Sequence, residues 1–62
     1  MYVLYKEMND LFVGQGTFYY RPARTGNKMW NKKLEAGRTY SKTSAQRAIK
    51  RLNDPEIKMK KV

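Results

Sequence analysis

Residues able to engage a charged or aromatic ligand fall in two stretches of this chain. The first runs from Tyr19 through Arg21, Arg24, Lys28 and Trp30 to Lys32 and Lys33. Its rings can stack on bases or sugars, while its cations can hold phosphates. The second is Arg47, Lys50 and Arg51, close together on a segment with helical periodicity. Neither is a catalytic set. The chain has no His and no Cys, so the commonest general base, the thiolate nucleophile and the usual transition-metal ligands are missing. The acids Glu7, Asp10, Glu35, Asp54 and Glu56 sit near turns or element ends and form no pair at metal-binding or acid–base spacing. A domain of this size is also expected to lack a cleft of roughly several hundred Å³, which substrate sites occupy. No catalytic residue, cofactor site or metal site is predicted, and binding is the expected activity.

Those residues need a scaffold, and 62 residues supply one domain, spanning 1–62. Apolar side chains make up 40% of the chain, with five Tyr, two Phe and one Trp. That content favours a folded core over a disordered tail. The absence of Cys removes the disulfides that small secreted domains depend on and points to a reducing cytoplasm. The opening Met1-Tyr2-Val3-Leu4-Tyr5-Lys6-Glu7 carries too short an apolar run for a signal peptide or a membrane span. Fourteen Lys and Arg against five Asp and Glu give a net charge of +9, a field that attracts polyanions or an acidic protein face. The same charge is also compatible with a purely solubilising role.

The expected elements begin with a hairpin. Tyr2 to Lys6 reads as a strand, Met8-Asn9-Asp10 as a turn and Leu11-Phe12-Val13 as the return. Gly14-Gln15-Gly16 reads as a bend or bulge in preference to a phosphate-cradling loop. Thr17 to Arg21 is the strongest strand and ends at Pro22. Gly26-Asn27 can reverse the chain. If the six loop residues lie outside the ladder, Arg21 faces Lys28, Tyr20 faces Met29 and Tyr19 faces Trp30. That register gives an apolar side of Phe18, Tyr20 and Met29, and an outer side of Tyr19, Arg21, Lys28, Trp30 and Lys32. A slip of one residue exchanges the faces and sends Trp30 into the core.

Leu34-Glu35-Ala36 reads as a helical turn ended by Gly37, and Arg38-Thr39-Tyr40 as a short strand. Thr43 with Gln46 makes a capping-box pattern for a helix whose Ala45, Ala48, Ile49 and Leu52 form one apolar stripe. Arg47, Lys50 and Arg51 then project from the opposite side. Asn53-Asp54-Pro55 stops the helix. Glu56 to Lys60 alternates as an edge strand with Ile57 and Met59 inward, its lysines opposing edge pairing. The architecture expected is α+β, with a three- or four-stranded mainly antiparallel sheet packed against one amphipathic helix in the C-terminal half. The helix stripe is too poor in large side chains for a membrane surface.

Tyr19-Tyr20-Arg21-Pro22-Ala23-Arg24-Thr25-Gly26-Asn27-Lys28, followed by the helix from Ala45 to Leu52, resembles the arm-type DNA-binding domain at the N-terminus of phage tyrosine integrases. The resemblance implies a three-stranded sheet on a helix, sheet residues in the DNA major groove, and contacts from Tyr19, Arg21, Arg24 and Lys28. The strand at Ile57 and Met59 departs from that pattern. The whole chain is similar to small uncharacterised proteins of tailed phages, through its N-terminal hairpin, Leu34-Glu35-Ala36 leading to Arg38-Thr39-Tyr40, and Ser41-Lys42 before an Ala-rich basic helix. That similarity implies a phage product in the bacterial cytoplasm that binds nucleic acid, or that inhibits or redirects a host protein. Together these readings predict a small basic DNA- or RNA-binding module, with Arg47, Lys50, Arg51, Lys32 and Lys33 on phosphates and Tyr19, Arg21, Lys28 and Trp30 on bases or sugars. The alternative is docking of the basic face on an acidic surface of a host protein. A monomer, or a weak homodimer through Glu56 to Val62, fits both.

Overall fold

The computed structural model describes residues 1–22 and 28–62, with the side chain of Lys28 excluded. Arg24 and the Gly26-Asn27 reversal lie outside the described residues, as does any contact made by the Lys28 side chain. The expected α+β class holds. Strands β1 (Tyr2–Asp10), β2 (Gly14–Pro22), β3 (Lys28–Asn31), β4 (Thr39–Tyr40) and β5 (Lys58–Lys61) make one antiparallel sheet, with helix α1 (Lys42–Leu52) between β4 and β5 in sequence.

The β1–β2 hairpin differs from the sequence expectation at its turn. β1 continues through Met8-Asn9-Asp10, and the reversal is Leu11-Phe12-Val13. Asp10 starts that turn: its Oδ1 accepts from the Phe12 N–H at 2.8 Å and the Val13 N–H at 3.0 Å. Gly14 closes it at φ +93, a left-handed conformation that costs a side-chain-bearing residue about 1–2 kcal/mol. Gly14-Gln15-Gly16 is therefore neither bend nor bulge. It pairs in unbroken register with Asp10, Asn9 and Met8, and the first glycine serves the turn.

β1 is the hub of the sheet. Its second half pairs with β2, while its first half pairs with β4 along the same edge and with β5 along the other. β4 thus enters where β2 diverges from β1, and the Arg38 N–H donates to the Tyr20 carbonyl at 3.0 Å. This divergence curls the sheet. Buried Leu4, Tyr20, Tyr40, Ala45, Ala48 and Ile57 form the core, with half-buried Tyr2, Trp30, Ile49, Leu52 and Met59 packed around it. The alanines have almost no exposure, so α1 approaches the strands closely. Its apolar stripe is the one read from sequence. Ile57 and Met59 point inward as expected, although β5 itself starts only at Lys58.

The helix start also moves. Ser41, not Thr43, is the N-cap, its Oγ accepting from the Ser44 N–H at 3.3 Å. The rule applied to Thr43 was sound, but an earlier Ser offers the same chemistry. Asn53 ends the helix in the left-handed region, φ 53 and ψ 42, with its N–H on the Ile49 carbonyl. Asp54 then fixes the exit: its carboxylate accepts from the Glu56 N–H at 3.0 Å and pairs with Lys6 at 2.7 Å. The helical turn before β4 is a 3₁₀ turn, Leu34–Ala36, closed by Gly37.

Candidate nucleic-acid interface

The register of β2 with β3 decides which predicted contact residues meet. Pro22 pairs with Lys28, Arg21 with Met29, Tyr20 with Trp30 and Tyr19 with Asn31. This is the expected ladder slipped by one residue, so Tyr19 and Arg21 do not share the expected outer face with Trp30. Tyr19 and Trp30 lie on opposite sides of the sheet. The physical reason is burial: in this register Trp30 packs on Tyr20, with ring centroids 5.4 Å apart, and joins the core margin. A small domain gains more by placing its single large indole there than by leaving it in water.

Both rings are also already attended by lysines. Lys6 Nζ sits 5.0 Å from the Trp30 ring centre while paired with Asp54. Buried Tyr19 has Lys60 over it, with Nζ donating to its hydroxyl at 3.2 Å. Lys32 donates to the Val13 carbonyl at 3.0 Å and lies beside Phe18, so it braces the hairpin turn. Lys33 is exposed and leads into the 3₁₀ turn.

The helix cations divide. Residues four apart lie on one stripe of a helix, whereas a step of one turns about 100°. Exposed Arg47 and Arg51 accordingly share one flank, lining a cleft with Pro22, Arg38, Thr39, Tyr40, Ser41 and Ser44. Lys50 faces the other flank, beside Ile49, Asn53 and Pro55. The Arg-lined cleft has a volume of about 520 Å³, and Pro22, Arg38 and Thr39 are shared with an adjoining hollow that Arg21 and Gly37 also wall. The expectation that so small a domain lacks room for such a cleft is therefore incorrect. The divergence of β2 from β1 opens the space that a flat sheet would not have.

Four arginines, Arg21, Arg38, Arg47 and Arg51, border the groove made by these two adjoining hollows, and among the described residues no acid lines it. A second cleft of about 560 Å³ near β5 contrasts with it, since Glu7 and Glu56 stand among its Lys6 and Lys58. The groove is the more suitable surface for a polyanion, because its guanidiniums can bind phosphates bidentately. Arg38 also lies over the Tyr40 ring, its guanidinium carbon 5.4 Å from the ring centre. Burial raises the Tyr40 phenol above its ordinary pKa against the opposing pull of Arg38, with a further upward push from Tyr20 and a downward pull from Arg51. The hydroxyl thus stays protonated and able to donate.

Sequence reasoning found Arg21, Arg47 and Arg51 but missed Arg38, Tyr40, Ser41 and Ser44. The available signal was Arg38-Thr39-Tyr40-Ser41 running into a Ser41-x-x-Ser44 cap, with two arginines four apart behind it. The exposed turn was missed as well. Leu11 is 98% and Phe12 96% exposed, held outward by the Asp10 hydrogen bonds. Among the described residues, no helix is long and apolar enough to cross a membrane. No family model, curated protein or solved structure matches the chain.

Proposed function

We propose that the chain is a small non-enzymatic nucleic-acid-binding module whose contact surface is the groove bordered by Arg21, Arg38, Arg47 and Arg51. The observation carrying this reading is that those four arginines line one groove that has no acidic wall among the described residues. The high net charge of +9 brings polyanions to the domain, and the groove orients them. Tyr19 and Trp30 serve the fold in this reading, so phosphate contacts carry most of the affinity and base preference is weak. Titrations with single-stranded DNA, duplex DNA and RNA at two salt concentrations test it. Salt-sensitive binding is expected, and an absence of binding at low salt refutes the proposal.

A specific feature favours a second reading. Leu11 and Phe12, almost wholly exposed on a hydrogen-bonded turn, suit an apolar pocket on a protein better than a phosphate backbone. In that reading the chain is a phage product that docks on a host protein in the bacterial cytoplasm, with its basic surface against acidic residues. Pull-down from nuclease-treated host lysate would then retain one protein, and Phe12→Ser would release it. Retention unaffected by Phe12→Ser removes the observation that favours this reading.

A further inference from the structure

Tyr40 is 8% exposed, and its hydroxyl is buried with no hydrogen-bond partner among the described residues. An unpaired buried hydroxyl is destabilising because it has given up its hydration without gaining a partner, a cost that a purely structural Phe at this position would avoid. The rest of Tyr40 behaves as core, packed with Leu4, Tyr20 and Ala45. Tyr40 also lines the cleft together with Arg38, Arg47, Arg51, Ser41 and Ser44, and its phenol lies close enough to Arg38 and Arg51 to feel their charges. Arg38 is exposed and rests over the ring, so a bound anion can draw it aside.

The start of α1 adds an independent feature. Its opening amides have no intrahelical acceptor and carry the positive end of the helix dipole. Acidic side chains commonly complement such an end, yet the first turn of α1 contains none. Ser41 satisfies the Ser44 N–H, while Lys42 and Thr43 precede it at the start of the helix. The capping residues Ser41 and Ser44, Tyr40 with its orphan hydroxyl, and the arginines therefore line the same cleft.

We infer that this cleft is a seat for one phosphate group, with the Tyr40 hydroxyl donating a hydrogen bond to a phosphate oxygen and Arg38, Arg47 and Arg51 neutralising its charge. The inference rests on the nucleic-acid reading of the groove and narrows it to a single anchored phosphate of the strand. That phosphate is either a terminal monoester or a backbone diester, which share the same recognising chemistry.

Tyr40→Phe tests the seat, because it removes one hydrogen bond and no charge. The free protein is expected to keep or gain stability, while oligonucleotide affinity falls about tenfold or more, as for loss of a hydrogen bond to a charged group. The salt slope should stay unchanged. Comparing 5′-phosphorylated with 5′-hydroxyl oligonucleotides identifies the source: a preference for the former assigns the terminal monoester, and equal binding assigns the diester. Ser44→Asp is a second variant, since an acid in the first turn favours the helix while its carboxylate repels a phosphate in the seat. It should weaken binding with folding intact.

Inorganic pyrophosphate, followed through the amide signals of Ser41, Ser44 and Ala45, separates the two claims. If the wild type binds oligonucleotides but both variants bind them equally well, the seat is wrong and the nucleic-acid reading survives. If the wild type binds no nucleic acid, that reading fails. Pyrophosphate shifts lost in Tyr40→Phe would then retain the phosphate seat alone, and their absence in the wild type would overturn it too.

Discussion

Replacing Arg47 and Arg51 together by Ala removes two of the four guanidiniums that border the groove while leaving the apolar stripe of α1 untouched. If each arginine neutralises one phosphate, the four give a slope of log K against log salt of about −3.6 on duplex DNA and about −2.8 on a single strand. Between about 50 and about 200 mM salt, the duplex affinity of the wild type should then fall about 150-fold. The double variant should show a duplex slope of about −1.8 and lose only about 12-fold over the same range. Both residues are exposed, and Ala is at least as good a helix former as Arg, so thermal unfolding should be little changed. Fluorescence anisotropy with a labelled oligonucleotide measures the slopes. The control is Lys58→Ala with Lys61→Ala, which removes the same charge from β5, on the opposite edge of β1 from β4. A control that lowers the slope as much as the groove variant would refute the reasoning, since binding would then follow total charge and not the groove.

The scaffold makes further predictions. Gly37→Ala would place a Cβ 2.9 Å from the Tyr19 Cβ and 3.3 Å from the Leu34 carbonyl. Overpacking of this kind costs about 1–3 kcal/mol, measurable by chemical denaturation, and an unchanged midpoint would contradict the close approach. Gly14→Ala would meet only the Lys32 Nζ, at an ordinary contact distance of 3.8 Å, but has a φ of +93, so it should cost about 1–2 kcal/mol through the backbone alone. The Val13 and Phe12 N–H groups hold the Asp10 carboxyl below its ordinary pKa; its contribution to stability is present above the unfolded pKa and lost as pH falls through the folded one. Asp10→Asn should flatten that part of the acid unfolding curve. Tyr40 has the reverse sign: its raised folded pKa makes its contribution complete below the unfolded pKa and lost as pH rises through the folded value, a dependence that Tyr40→Phe should remove from alkaline unfolding.

Much of this fold was legible because local rules acted alone. The α1 stripe, the short strand before the helix and the inward Ile57 and Met59 all follow from periodicity and breaker residues, whereas Pro22, expected to close its strand, pairs with Lys28 inside the ladder. The hairpin turn was misread because Met8-Asn9-Asp10 and Leu11-Phe12-Val13 violate the usual polarity of turns. The Asp10 hydrogen bonds and the positive φ of Gly14 prevail over it. Thr43 lost the cap to Ser41 for a tertiary reason: β4 ends at Tyr40, which fixes where the chain can begin to turn.

The candidate site was less legible because it depends on registers that no local pattern encodes. Whether Trp30 faces solvent or core is set by one residue of slip between β2 and β3. Alternation is satisfied either way, so only the burial available to Trp30 against Tyr20 decides it. The groove is a still less local feature. Arg21 reaches it from the end of β2, Arg38 from the approach to β4, and Arg47 with Arg51 from α1. These segments meet because β4 takes the place of β2 beside the first residues of β1. Sequence spacing showed Arg47 and Arg51 on one stripe, yet the same reading added Lys50, which the helix turns toward another flank. What distinguishes the arginine groove from general surface charge is therefore topological. A strand exchange at one edge of β1 collects cations distant in sequence, and it does so beside a buried tyrosine hydroxyl that has no hydrogen-bond partner among the described residues.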